Sequence, residues 1–445
     1  MPKKDKMTKK DIIKIVKSKK IGFLRLWFTD VLGFLKSFDI PVEELPGALK
    51  DGMGFDGSSI EGFSRIEESD MIVKPDPETF QIIPWIKEAN PVARMFCDVV
   101  EPSGKPFIGD PRHVLKRNLA EASRMGYTFY VGPELEYFYF RNTGGTEILD
   151  KGGYFDLTPM DIGQDLRRKT VIMLEKMGIE VEYWHHEVAS SQHEIDLRYK
   201  EALTMADNVM TYRMAVKEVA MNANFYATFM PKPVSGINGS GMHTHMSLFK
   251  GKKNAFYDKN DKTHLSKTGK YFIAGLLKHA REICSVTCQW VNSYKRLVPG
   301  YEAPVYVSWA QKNRSALVRV PGYKPGKEKA TRAELRNPDP ACNPYLAFSV
   351  MLAAGLEGIK KRYTLPRETT DNVYSMTEKE RKKAGIETLP ASLFEAIELT
   401  EKSDLVRRAL GDKVFEYFIR NKKDEWDEYR KQVTKYELGK YLAIL

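Results

Sequence analysis

Gly132-Pro-Glu-Leu-Glu-Tyr-Phe138 lies inside a longer apolar stretch, Tyr127 to Arg141, whose aromatic content predicts a β-strand. Side chains alternate between the faces of a strand, so Glu134 and Glu136 project together while Leu135 and Tyr137 point the other way. Like charges so placed repel. Tyr130, Phe138 and Phe140 around them predict a buried setting, and buried carboxylates need a cation. The strand therefore reads as one wall of a metal-binding cleft.

The same alternation recurs further along. Glu187 and Glu194 bracket Val-Ala-Ser-Ser-Gln-His and follow Trp184-His-His186. His243 and His245 share a strand face after the glycine-rich Asn238-Gly-Ser-Gly241, and Glu334 shares one with Arg332 and Arg336. Five carboxylates and one imidazole, with no thiolate, suit Mg²⁺ or Mn²⁺ better than a structural zinc. Two divalent ions would nearly balance the five negative charges. Arg296, Arg314, Arg319, Arg332 and Arg336 fall in a short span broken by glycine and proline loops, and arginine forks match phosphate and carboxylate oxygens. Metal ions and arginines around one cleft point to phosphoryl transfer. Neither a Walker GxxxxGK[ST] nor a Rossmann GxGxxG motif is present.

At 445 residues the chain has room for two or more domains. Its net charge of +11 is unevenly spread: residues 1–20 hold nine lysines and two aspartates, so the remainder carries only about +4. The basic pI thus belongs to an N-terminal arm (1–18), where Ile12, Ile13, Ile15 and Val16 predict a short amphipathic helix. No aromatic residues are interleaved with these lysines, which argues against a nucleic-acid surface. No apolar run is long enough to span a bilayer, and the lysines interrupt any export signal. Cys97, Cys284, Cys288 and Cys342 show no CxxC spacing, so reduced thiols in a cytoplasmic protein are expected.

Paired strands over Ile21 to Phe38 with Gly33 between them open a small mixed domain, and Glu101-Pro-Ser-Gly-Lys-Pro106 marks its end. Asp110-Pro111 then caps a helix to about Met125. Helices are predicted at Gly163 to Met177, Lys200 to Asn222 and beyond Ala391. Strands are predicted at Glu180 to Trp184, Ile195 to Tyr199, His243 to Phe249, Ser315 to Val320 and Arg332 to Arg336. The fold class is α+β, with boundaries at 19–105 and 110–445.

Taken in order, the segments Phe55-Asp-Gly-Ser-Ser-Ile60, Gly132-Pro-Glu-Leu-Glu136, His185-His-Glu-Val-Ala189, Asn238-Gly-Ser-Gly-Met-His-Thr-His245, Arg296-Leu-Val-Pro-Gly-Tyr-Glu-Ala-Pro304 and Asn337-Pro-Asp-Pro-Ala-Cys-Asn-Pro-Tyr345 resemble type I glutamine synthetases. The resemblance runs from about Ile21 to the C-terminus. It implies an N-terminal β-grasp domain and a catalytic domain whose antiparallel sheet lines the active site, assembled as a homo-dodecamer of two stacked hexamers with sites between subunits. It also implies glutamate–ammonia ligation driven by ATP through γ-glutamyl phosphate.

By similarity, Glu136, Glu187 and Glu194 would hold one metal ion and Glu134, His243 and Glu334 a second. Asn238, Gly239, Arg296, Glu302, Arg314 and Arg336 would hold glutamate. Glu182, His245, Ser247, Arg314, Arg319 and Arg332 would contact ATP. Asp56 of an adjacent subunit would take a proton from ammonium, Glu302 would close a flap, and Arg314 would assist the transfer. Arg65 matches the arginine of the glutamine-feedback-inhibited α subgroup. Tyr374 aligns with the tyrosine adenylylated in the other subgroup, but lacks the Asp-Leu-Pro-Pro that normally follows, so no adenylylation is expected. Small nitrogen-regulatory proteins are candidate partners. The alternatives are a γ-glutamyl–amine ligase acting on a polyamine or other amine, and a noncatalytic regulator-binding ring.

Overall fold

The computed structural model describes residues 7–445 except 59, 61, 63–69, 87–89 and 160. Arg65 and part of the Phe55 to Ile60 motif therefore lie outside the described residues. Six strands, β1 (Phe23–Thr29), β2 (Leu35–Pro41), β3 (Met53–Asp56), β4 (Asp70–Pro75), β5 (Gln81–Ile82) and β6 (Val92–Val100), form the first sheet. Its order is β2-β1-β6-β4-β3, with β5 on β6; β1 and β6 run parallel and the other pairs antiparallel. The basic arm folds as the helix Lys9–Ser18, started by a Thr8–Asp11 capping box. Ile12 and Val16 at i and i+4 are buried in one hydrophobic cluster with Leu24, Leu26 and Val73, so this helix belongs to the small core.

The β1–β2 turn joins the two cores. Gly33 has φ +88°, and a Cβ there would come within 2.9 Å of Asn343 Cα, so only glycine lets the turn approach so closely. Asn343 caps the helix Pro344–Lys361 and donates to the Asp30 and Val31 carbonyls. Nearby, the buried Arg112 guanidinium binds Asp76 just after β4, Asp98 of β6 and Asp207 of the helix Ala202–Met221.

Ten strands form the second sheet: β7 (Thr128–Phe140), β8 (Val181–His186), β9 (Gln192–Leu197), β10 (Lys200–Glu201), β11 (Tyr226–Thr228), β12 (Met242–Lys250), β13 (Lys253–Asn254), β14 (Trp309–Gln311), β15 (Val318–Val320) and β16 (Ala333–Leu335). The main path is β14-β15-β16-β12-β7-β9-β8, antiparallel except for β14 with β15. One face carries Leu135, Ile195, Met242, Met246 and Leu335 into the main core. There the Tyr212 hydroxyl of Ala202–Met221 donates to the Leu135 carbonyl at 3.1 Å. Burying each such aliphatic side chain is worth about 1.5–3 kcal/mol, which holds the opposite, ionisable face in place.

Two expected elements shift. Strand β9 starts at Gln192 rather than Ile195, because a turn with Ser191 at φ +62° reverses the chain directly before it. Lys200–Glu201 pairs with β7 instead of opening the helix. The four cysteines are free and buried; Cys284 lies in the short helix Cys284–Thr287 and packs in the core. Among the described residues no helix is long and apolar enough to cross a membrane.

Candidate active site

The register of the second sheet assembles the cleft. Glu134 on β7 stands opposite His243 on β12 and Asp196 on β9, while Glu136 stands opposite Glu194. On the other side His245 faces Glu334 of β16, and Glu334 faces Arg319 of β15. Of these, Glu134, Glu136, Glu194, His243 and Arg319 line a cleft of about 730 Å³ together with Asn238, Gly239, Arg296, Glu302, Arg314 and Arg336. A second cavity of about 200 Å³ shares Glu134 and Tyr183 with it and is lined by Glu182, Asp196, His245, Ser247 and Arg332. Of the residues expected for ATP, Arg314 and Arg319 line the first cavity, the others the second.

Two groups of donors converge, each with its ligand atoms within 4.8 Å of one another: Glu134, His243 and Glu334, and His185, Glu187 and Glu194. The first matches an expected triad. The second gathers Glu187 and Glu194 with His185, and Glu136 stands beside it on β7, where its Oε2 accepts from Gln192 Nε2 and the Gly241 amide, both at 2.9 Å. A Cβ at Gly241 would lie 2.5 Å from the buried Arg296 guanidinium, which would have to shift to admit it.

Charge is distributed unequally. Burial and the Glu187 charge push the Glu136 carboxyl up to about 8, and burial with Glu302 nearby pushes Glu187 to about 7. Burial and Asp196 also raise Glu194 well above its ordinary value. At the other end burial also opposes ionisation, yet His245 and Arg336 bring Glu334 down to about 2. Arg336 donates to Glu334 Oε1 at 2.5 Å, and Arg319 binds the other oxygen. Glu134 is likewise held low by His245, whose Nε2 lies 2.6 Å from Oε1, and by His243 at 3.3 Å. Burial and Arg336 keep His243 neutral, at about 4, as a metal-binding imidazole must be.

The mouth is formed by Glu302, whose φ of +60° is unusual for a non-glycine residue and whose Oε2 accepts from Asn238 Nδ2 at 3.0 Å. Tyr374 donates to the adjacent Ala303 carbonyl at 2.6 Å. Arg296 is buried and donates to the carbonyls of Asn337 and Arg336. Asp56, at the exposed end of β3, is not among the residues lining this chain's cleft.

Hard oxygen donors with neutral imidazoles, and carboxylates left without a cation, fit divalent metal binding. Residues 108–441 match the glutamine synthetase catalytic domain and residues 20–102 its β-Grasp domain. The chain belongs to the glutamine synthetase family. Its sequence is 54% identical over 442 residues to the glutamine synthetase of Mycolicibacterium smegmatis, covering 98% of this chain and 99% of that one. It is 52% identical to that of Methanosarcina mazei (98% of each chain) and 50% to that of Thermotoga maritima (98% and 100%). Among solved structures, a GmaS/ADP complex superposes with a TM-score of 0.89 at 31% identity (97% and 99% of the chains). The cryo-EM structure of Plasmodium falciparum glutamine synthetase gives 0.87 at 26% (98% of each). The glutamine synthetase fold, a β-grasp domain followed by an α+β catalytic domain, is thus the one expected from the motifs.

Sequence reasoning did not single out Tyr154, His185 or Asp196, which line the two cavities. Asp196 had a signal, since Glu194-Ile-Asp196 repeats the alternation of Glu134-Leu-Glu136. His185 had a weaker one beside Glu187. Tyr154 had none, because a loop brings it in.

Proposed function

We propose that this chain ligates ammonia to the γ-carboxylate of L-glutamate, consuming ATP and giving L-glutamine, ADP and phosphate through γ-glutamyl phosphate. The observation that carries this reading is the pair of donor groups in one cleft, adjoining a second cavity lined by Ser247 and Arg332, in a chain with full-length glutamine synthetase relatives.

Glu136, Glu187 and Glu194, with His185 beside them, are assigned to one divalent ion and Glu134, His243 and Glu334 to another, with Mg²⁺ or Mn²⁺ as the natural occupants. Bound there, the ions would neutralise the phosphates and polarise the transferring phosphoryl group. Arg314, Arg319 and Arg336 balance charge on the phosphoryl oxygens; Glu182, His245, Ser247 and Arg332 orient the nucleotide. Asn238, Gly239 and Arg296 shape the glutamate pocket. Phosphorylation turns a carboxylate oxygen into a good leaving group. Ammonium loses a proton to Asp56 of a neighbouring subunit and attacks the acyl phosphate, while Glu302 covers the intermediate and excludes water.

This arrangement requires an oligomer, and two stacked hexamers in the cytoplasm are the assembly proposed. The glutamine-inhibited α subgroup is proposed on Arg65. The hydrogen bond that engages the half-buried Tyr374 hydroxyl supports the absence of adenylylation; a stable AMP adduct in the intact mass of native protein would refute it. Phosphate release with ammonium, putrescine and ethylamine tests the reaction. Preference for ammonium is expected, and preference for a larger amine would overturn the assignment.

A further inference from the structure

Behind the His185–Glu194 pair lies a second buried cluster that takes no direct part in the reaction. His186 on β8 and His193 on β9 are cross-strand partners one position along from His185 and Glu194, so their rings point away from the cleft. There they meet Asp150, Asp161 and Arg167, all five side chains being almost wholly buried. Glycine makes the fit possible: a Cβ at Gly152 would lie 2.6 Å from His186 Nε2, and one at Gly163 2.3 Å from His193 Cε1.

The hydrogen bonds form two groups that face each other across Asp150 and His193. His186 Nδ1 lies 2.7 Å from the Glu187 carbonyl and Nε2 2.6 Å from Asp150 Oδ1. Both ring nitrogens thus face acceptors, which describes an imidazolium paired with a carboxylate. Arg167 pairs with Asp161 and also donates to His193 Nδ1, which leaves the His193 Nε2–H facing Asp150 Oδ2 at 3.6 Å. Two negative charges therefore meet two positive ones.

Asp150 also accepts from the amide of Ser191, in the turn that separates Glu187 from Glu194. The loop after Asp150 carries Tyr154 and Phe155 onto the His185 ring, with centroids 5.4 and 4.5 Å away, and the Phe155 amide donates to the His186 carbonyl at 3.1 Å. One carboxylate thus touches strand β8, the turn and the loop that together frame one donor group.

We propose that Asp150, acting through His186 and His193, is a positioning residue that sets the spacing of His185, Glu187 and Glu194 and hence the affinity of that end of the cleft for a divalent cation. The inference rests on reading that end as a cation site. Although Asp150, Asp161, His186 and His193 could themselves surround a metal, their charges are already paired, so a structural ion is the competing outcome.

The test titrates Mn²⁺ into EDTA-stripped, full-length protein and follows free Mn²⁺ by electron paramagnetic resonance. Asp150→Asn is expected to weaken one class of Mn²⁺ site by about 10–100-fold and to leave the other class unchanged, with native mass retained. The double variant Asp150→Asn/His186→Gln replaces both charges of the pair and is expected to recover most of the lost affinity. If wild-type protein binds no Mn²⁺, the functional reading fails together with the inference. If wild type binds and folded Asp150→Asn binds equally well, only the inference fails. Firmly held zinc or iron in wild type that disappears in Asp150→Asn would also overturn it. Loss of folded protein in both variants would do the same, marking the cluster as a folding determinant alone.

Discussion

At one end of the cleft Glu136, Glu187 and Glu194 stand close together with carboxyl groups pushed up by burial and by neighbouring carboxylates. At the other, Glu134 and Glu334 stand among His243, His245, Arg319 and Arg336 and stay ionised. The residue types are alike and the strands are neighbours in one sheet. What differs is the source of positive charge. The second end carries its own, which leaves its carboxylates organised before any ligand arrives. The first end is short of a cation, so its occupancy should depend most strongly on metal concentration and pH.

Neutralising one carboxylate at each end separates the two most sharply. Glu194→Gln should lower kcat by about 10³-fold, the loss of several kcal/mol of charge stabilisation, while its metal-free melting temperature stays level or rises because a repulsion is removed. Glu334→Gln should also abolish turnover, but it leaves Arg319 and Arg336 without their carboxylate and should destabilise the fold by about 3–5 kcal/mol. Denaturant melts in EDTA compare the two; equal destabilisation would break the distinction.

A smaller effect is expected in pH. An acid whose folded pKa is raised contributes stability that is complete below its unfolded pKa and is lost as pH rises through the folded one. For Glu136 and Glu187 that window runs from the ordinary glutamate value to about 8 and about 7 respectively. The metal-free protein should therefore melt at progressively lower temperature from about pH 5 to pH 8, and Mg²⁺ or Mn²⁺ should restore more at pH 8 than at pH 6. A metal-induced shift independent of pH would contradict the account. Glu302→Ala tests the mouth above both ends: ATP and glutamate should still bind, but glutamine formed per ATP should fall below one as intermediate is lost to water. An unchanged ratio would remove Glu302 from that role.

The cleft wall was legible because it is a strand property. Alternation marked Glu134 with Glu136, His243 with His245, and Glu334 between its arginines, and the registers of β7 with β12 and β9 and of β12 with β16 bring them together. Asp196 escaped because the strand was expected to start at Ile195, whereas the Ser191 turn starts it at Gln192. Tyr154 and the Asp150 cluster escaped for a different reason. Their residues come from a loop, a helix and two strands, and only the folded chain juxtaposes them. The lysine-rich arm misled in the opposite sense: its charge reads as a separate segment, yet Ile12 and Val16 anchor it in the small core.

The central claim is that the cleft activates the γ-carboxylate of glutamate as an acyl phosphate. The most direct measurement supplies glutamate labelled with ¹⁸O in that carboxylate, together with ATP, ammonium and Mg²⁺, and follows the label by mass spectrometry. One ¹⁸O should appear in the released phosphate for each glutamine formed. Glutamine formed without label in phosphate, or label transferred without glutamine, would contradict it.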